Sequence, residues 1–337
     1  MVSALLKLKF FSSPILKFNL FRKGFFCACL IAFSASFIAE HYGGPVMLYA
    51  LLFGMAFHFL YDSEPCRDGI NFAAQDVLRV GIALLGVRIS LSHVMHLGWG
   101  PIFMIACGIA TTILLGVFIA RKLGYSHQLG MLTGGSVAIC GASAAMAIAA
   151  VLPQSKETQR NVLMTVVVIT SFSTLAMILY PAIVVVCGLT DSQAAFFLGG
   201  TIHDVAQVIG AGYMVSESVG DMSVVVKLLR VAFLTPVILC FSFMFTKQSS
   251  GPKFHCPLFL ILFFVFVVLV NSHMIPVYVA TFMQTASRWC ILIALSALGL
   301  KTSLKELVVV GWKPLLLIGI QTIWLAFFVL IVSYSYF

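Results

Sequence analysis

Apolar runs of roughly 17 to 25 residues recur along this chain from Gly24 to Tyr336, and nothing else in the sequence constrains its fold as strongly. Eleven such segments are read: 24–40, 45–61, 71–90, 99–120, 127–152, 162–187, 193–215, 223–246, 256–272, 276–299 and 311–335. Lipid offers the backbone no hydrogen-bond partner, so each segment has to satisfy its own amides as a helix. The expected class is all-α, a polytopic transmembrane helical bundle. With 61% hydrophobic and 9% charged residues, the chain has too little charge to cover a soluble domain.

The organisation expected is a basic cytoplasmic segment, 1–23, followed by a single membrane domain, 24–337. The leader lacks a small-x-small cleavage pattern, which favours an uncleaved first span over a signal peptide or an organellar presequence. The net charge of +9 is dispersed in short connections rather than gathered into a patch with interleaved aromatics, so topology explains it better than nucleic acid does. With the amino terminus inside and all eleven segments crossing, thirteen basic residues fall on the cytoplasmic side: Lys7, Lys9, Lys17, Arg22, Lys23, Arg67, Arg121, Lys122, Lys247, Lys253, Lys301, Lys305 and Lys313. Three, Arg88, Lys156 and Arg160, fall opposite. That asymmetry predicts an inner (plasma) membrane protein with its amino terminus in the cytoplasm.

Two short motifs repeat in register. Gly86-Val-Arg-Ile-Ser-Leu91 resembles Gly299-Leu-Lys-Thr-Ser-Leu304, and Gly98-Trp-Gly-Pro101 resembles Gly311-Trp-Lys-Pro314. Repeat units around 71–120 and 276–335, running in opposite directions, are expected, although Gly, Ser and Trp also gather at membrane interfaces without duplication.

Two segments carry polar chemistry. In 127–152, Gly134, Gly135 and Gly141 interrupt helix propensity, with Ser136, Cys140 and Ser143 beside them. A half-helix starting there would aim unpaired N–H groups at an anion, and close helix packing is the alternative. In 193–215, glycines 199, 200, 210 and 212 bracket His203, Asp204 and Gln207. On a continuous helix His203 and Gln207 would share a face, with Asp204 about 100° away. Ionisable groups inside a membrane are costly and face a cavity or a partner. Lys227 and Arg230, three apart, are candidate partners; Asp76, Arg79 and Arg88 are secondary candidates, and snorkelling is the alternative for each. Positive side chains with helix N-termini suit a small oxyanion, and His203 with Asp204 suits a proton.

No HExxH, GxSxG or GxxxxGK[ST] motif occurs, and the nine cysteines form no metal-ligand pattern. Neither enzyme activity, nor a cofactor, nor a metal is therefore expected. The motifs "LRVGIALLGVRISL", "ICGASAA", "LYPAI", "IHDVAQVIGAG" and "KLLRVAFLTP" resemble those of a family of bacterial inner-membrane proteins known as the sulfate exporter family, with "GGSVA" departing slightly from a common glycine–serine spacing. The resemblance runs from about Phe72 to Pro314 and places Cys140, Ser143, His203, Asp204, Gln207, Lys227 and Arg230 on matching positions. It implies a secondary transporter built from inverted bundles, exporting a small inorganic or organic anion such as sulfate or a sulfonate. Proton or sodium coupling, a homodimer, and a non-transporting scaffold or sensor are the readings left open.

Overall fold

A computed structural model describes residues 14–89, 99–153, 155–245, 258–303 and 311–336. Among them there are only helices, in the order α1 (Pro14–Tyr42), α2 (Val46–Ala56), α3 (Glu64–Phe72), α4 (Leu78–Leu85), α5 (Gly100–Lys122), α6 (His127–Ala138), α7 (Ala142–Ala149), α8 (Lys156–Val186), α9 (Asp191–Thr201), α10 (Val205–Val215), α11 (Glu217–Ala232), α12 (Leu234–Met244), α13 (Leu258–Asn271), α14 (Val277–Lys301) and α15 (Trp312–Tyr336), with shorter turns between some of them. Seven stretches are long and apolar enough to cross a membrane, Glu64–Arg88 and Glu217–Met244 each joining two helices. The chain is a polytopic helical membrane bundle, and the described residues of each of the eleven apolar segments fall mainly on helix.

The expected single membrane domain divides into two compact units. One comprises 1–85 and 277–302, the other 86–276 and 303–337. Each proposed repeat copy starts in the first unit and ends in the second, dividing at Leu85/Gly86 and at Thr302/Ser303. In the first unit α4 lies antiparallel to α14: Gly81 packs on Cys290 and Ile291, Ser287 Oγ donates to the Gly81 carbonyl at 2.7 Å, and Ala73 and Ala74 cluster with Ala297 and Leu300. In the second, α5 lies antiparallel to α15: Gly100 abuts Tyr336, Gly108 abuts Phe328, and Gly116 abuts Gln321. Trp324 Nε1 donates to Thr111 Oγ1 at 3.3 Å, and these two residues are separated by the same interval as Gly86 from Gly299. Much of the repeated motif itself, 90–98 and 304–310, lies outside the described residues, as do Lys7, Lys9, Lys247, Lys253 and Lys305.

The fifth and seventh segments double back instead of crossing. The arms α6, α7, α9 and α10 have 12, 8, 11 and 11 residues. At 1.5 Å per residue none reaches more than about 18 Å, against a hydrocarbon core of about 30 Å. In hairpin A (α6 and α7), Ser126, Leu129 and Leu132 from the start line one small cavity with Leu152, Ser155 and Thr158 from the end. A Cβ on Gly135 would overlap Ile148, thirteen residues on and about 20 Å away were the helix straight. In hairpin B (α9 and α10), Ser216 Oγ at the end donates to Asp191 Oδ2 at the start, 3.3 Å away, and Gly199 and Gly212 both back onto Ser223 of α11. Side-chain caps begin the arms: Ser126 for α6, a Thr190–Gln193 capping box for α9 and Asp204 for α10.

The hairpins enter from opposite ends of α8. Its first turn, capped by Ser155, adjoins the open end of hairpin A, while Tyr180 near its far end packs at a tilt against Phe197 of hairpin B, ring centroids 5.2 Å apart. Between these, Ile169 touches the tip of A and Ser173 bonds the tip of B. The second unit thus has two chemically different ends. Arg121, Lys122, Lys156, Arg160 and Lys313, with Glu157 among them, lie where hairpin A opens; Asp191, Glu217 and Asp221 lie where B opens, with Arg88 ion-paired to Glu217 at 3.1 Å and Asp221 at 3.3 Å.

Candidate functional site

The tips meet in the middle of the second unit, where a Cβ on Gly141 would lie 3.4 Å from the Cβ of His203. Both outgoing arms close with the same local chemistry. Gly-Gly-Thr ends α9 and Gly-Gly-Ser stands two residues before the end of α6, and Ser136 Oγ and Thr201 Oγ1 each donate 2.5 Å to the carbonyl four residues back. The breaks follow these triplets, at 139–141 and 202–204. Gly134, Gly135, Gly199, Gly200, Gly210 and Gly212, expected to break the helices, instead lie within them. Gly134 lies on Thr112 and Ile113 of α5 and Gly199 on Ser223 and Val226 of α11, so close packing is their role. Only Gly141 turns the chain, at φ +65°, ψ −122°, a conformation open to glycine.

Helix C-termini leave carbonyls unpaired, and in a membrane interior each needs a donor. Lys227 and Arg230, side by side on α11 near the middle of the Glu217–Met244 span, supply them. Lys227 Nζ donates to Ile139 at 2.7 Å and Ile202 at 2.8 Å. Arg230 donates through Nε to Ala138, through Nη2 to Val137, and through Nη1 to Gly199 and Ile202, all at 3.0 Å. Lys227 is fully buried and Arg230 is 1% exposed. The shared face expected of this pair holds, and snorkelling does not.

The return arms begin differently. Asp204 caps α10, its Oδ1 accepting from the Ala206 amide at 2.9 Å, and its own amide donates to Ser173 Oγ at 3.0 Å. Because Asp204 is a cap, His203 precedes the helix, and the face it was expected to share with Gln207 does not form. His203 Nε2 is 3.3 Å from Thr322 Oγ1, and Gln207 Nε2 donates to Thr174 Oγ1 at 2.8 Å. His203 Nδ1 and Gln207 Oε1 are buried without a protein partner among the described residues. No side chain caps α7, whose first turn carries exposed Ser143, with Oγ 3.1 Å from the Cys140 carbonyl and 2.9 Å from its Sγ. Asp204 is half-buried.

Cys140, Gly141, Ser143, His203, Asp204, Lys227 and Arg230 therefore converge, with Gln207 one turn into α10. Gly135 and Ser136 sit back in α6. Asp76 and Arg79 form an exposed ion pair at 3.0 Å in the first unit, and Arg88 stands at the acidic end of the second. Sequence reasoning missed the supporting hydroxyls: Ser173 and Thr174 on α8, and Thr322 beside Gln321, whose Nε2 donates to Thr133 at 3.0 Å. Their signal was "TSFST" and "QT" inside otherwise apolar spans. No group of His, Cys, Asp and Glu among the described residues is arranged to hold a metal.

Residues 23–318 match a family described as conserved hypothetical protein 698. The UPF0324 membrane protein CT0845 of Chlorobaculum tepidum is 47% identical over 94% of this chain and 90% of its own length. The UPF0324 membrane protein TauZ of Paracoccus denitrificans is 45% identical over 91% and 93%, and the UPF0324 inner membrane protein YeiH of Escherichia coli is 32% identical over 84% and 83%. No solved structure gives a significant match.

Proposed function

The chain belongs to the conserved hypothetical protein 698 family, and from that premise we propose that it is a secondary transporter of a small oxyanion, such as sulfate or a sulfonate, resident in the bacterial inner membrane. The observation that carries this reading is the meeting of two oppositely inserted hairpins. Irregular backbone at membrane depth is tolerated where it is buried in protein or lines a cavity, and discontinuous helices form the midplane sites of many carriers. Charge favours an anion. Each helix end carries roughly half an elementary charge, so two negative and two positive ends cancel at the tips. With Lys227 and Arg230 protonated, Asp204 ionised and His203 neutral, one positive charge stands over. The uncapped start of α7, with Ser143 exposed on it, is where an oxyanion gains backbone donors.

The doubled-back segments also sharpen orientation. Once 127–152 returns, Lys156 and Arg160 join the thirteen basic residues assigned to the cytoplasm, leaving Arg88 opposite. We assign the end of the second unit where hairpin A opens to the cytoplasm and keep the amino terminus inside. Single cysteines at Ser126 and Ser155 in a chain freed of its own exposed thiols are then labelled only after an impermeant reagent enters the cell, and one at Thr190 is labelled from outside. Labelling of Ser126Cys and Ser155Cys from opposite sides would mean that hairpin A crosses.

Flux is tested in proteoliposomes on a solid-supported membrane, with radiolabelled sulfate and a sulfonate as the electroneutral control. Anion-specific currents or uptake are expected, and neither from folded protein across a broad anion panel sinks the carrier reading in favour of a scaffold. A proton-coupled cycle through half-buried Asp204 is the second reading, and rates independent of a pH gradient count against it.

A further inference from the structure

Carbonyl groups released at the ends of broken helices are where a cation-coupled carrier would hold a desolvated sodium ion. Here five such carbonyls, Val137, Ala138, Ile139, Gly199 and Ile202, accept six hydrogen bonds from two side chains. All three guanidinium nitrogens of Arg230 are engaged, and the Lys227 ammonium bridges one carbonyl of each tip at 2.7 and 2.8 Å. Neither cation reaches the surface in this arrangement. We propose that Lys227 and Arg230 are tethered occupants of a monovalent-cation site, and that the carrier therefore does not use sodium as its coupling ion.

The chemistry of the pair fits this assignment. A lysine ammonium is a compact point charge on a flexible stem, the closest side-chain counterpart of a bound alkali ion, whereas the guanidinium is a rigid planar fork. Arg230 spans four carbonyls at one distance, 3.0 Å, as a frame does, while Lys227 sits where a single ion between Ile139 and Ile202 would sit. Tethering has a thermodynamic consequence. A diffusible ion stabilises a protein in proportion to the logarithm of its concentration, and a covalently held one does so at every ionic composition.

The coupling statement rests on the carrier reading; the occupancy statement does not, and the tests separate them. Purified full-length protein in detergent is melted in sodium, potassium and choline chloride at equal ionic strength, and one melting temperature is expected in all three. Lys227→Ala deletes the atoms of propylammonium, so it melts lower and recovers by at least about 2 °C on addition of propylammonium or sodium. Lys227→Met, which fills the stem's space without charge, melts lower and does not recover. Sodium-specific stabilisation of the wild type overturns the proposal even if neither variant accumulates, and so does a Lys227→Ala protein that recovers with no cation. In proteoliposomes, replacing sodium by choline is expected to change the initial anion rate less than two-fold, and a larger fall overturns the coupling statement. Absence of any flux removes the carrier reading and leaves the melting results to decide occupancy.

Discussion

The two hairpin tips are built from the same opening and finished differently. Each outgoing arm carries Gly-Gly-Ser or Gly-Gly-Thr in its last turns, ties its hydroxyl to the carbonyl four residues back, and surrenders its last carbonyls to Lys227 and Arg230. Tip A then turns on a glycine with positive φ and starts its return arm without a side-chain cap. Tip B turns through His203 and starts its return arm on a carboxylate. The negative ends are thus neutralised alike, while one positive end is left to a visitor and the other is filled by the protein's own anion. Identical scaffolding with unlike positive ends is what separates a binding surface from a brace.

Removing what the tips share should cost most. Arg230 takes two carbonyls from each hairpin, and Arg230→Leu leaves three buried acceptors, Val137, Ala138 and Gly199, without donors, Ile202 keeping Lys227. Each such loss costs about 1–3 kcal/mol, so the variant is expected to lose on the order of 3 kcal/mol or more and to fail to accumulate in the membrane. Arg230→Lys, which retains charge but not the fork, should fall between. Normal yield and melting temperature in Arg230→Leu would show that the two tips do not depend on a common clamp.

Next come substitutions that act on one tip at a time. Gly141→Ala places a Cβ 3.0 Å from Ile169 and forces a backbone conformation that costs about 1–3 kcal/mol without glycine. Asp204→Ala removes a cap, about 1 kcal/mol. Thermal melts should therefore rank Gly141→Ala below Asp204→Ala, and the reverse order would mean that the carboxylate, not the glycine turn, holds the tips in register.

How far the sequence foretold this depends on whether the signal was local. Span positions and the breaks near Gly141 and Asp204 were legible, because hydropathy and turn residues are written along the chain. The direction of the fifth and seventh segments was not: 26 and 23 residues are long enough to cross, and only tertiary contacts, Gly135 with Ile148 in one and Ser216 with Asp191 in the other, show them turning back. Lys227 and Arg230 were identified as site residues, but their partners are backbone carbonyls up to 93 residues away, which no side-chain pattern announces. The glycine pairs misled for a related reason. Close approach to α5 or α11 and a break in the helix ask for the same residue.

Asp204→Asn separates the charge of tip B from its geometry. An asparagine oxygen still caps Ala206, so the melting temperature should move by only a few tenths of a kcal/mol equivalent. Charge changes more. Removing the one carboxylate near the tips leaves a stronger positive field for an anion at α7, and the concentration for half-maximal transport should fall several-fold, on the order of the 1–2 kcal/mol of a partly screened charge interaction. Under the proton-coupled reading the same variant loses its response to a pH gradient. Unchanged affinity with unchanged pH response would remove Asp204 from the site.

The smallest effect is expected at Ser143, and it bears most directly on which tip receives the substrate. Its hydroxyl bonds the Cys140 carbonyl and sulfur, both within its own turn, and the side chain is exposed, so Ser143→Ala leaves no distant group unpaired and stability should stay within about 0.5 kcal/mol. Transport should weaken by two- to ten-fold in half-saturating concentration, the loss of one hydrogen bond of about 0.5–1.5 kcal/mol, with the maximal rate preserved. Ser136→Ala is the matched control: its hydroxyl is equally small but turned back to Leu132 inside α6. Equal effects of the two on affinity would mean that the hydroxyls only stiffen hairpin A, whereas an effect confined to Ser143 places the anion at the uncapped end of α7 and leaves hairpin B as its brace.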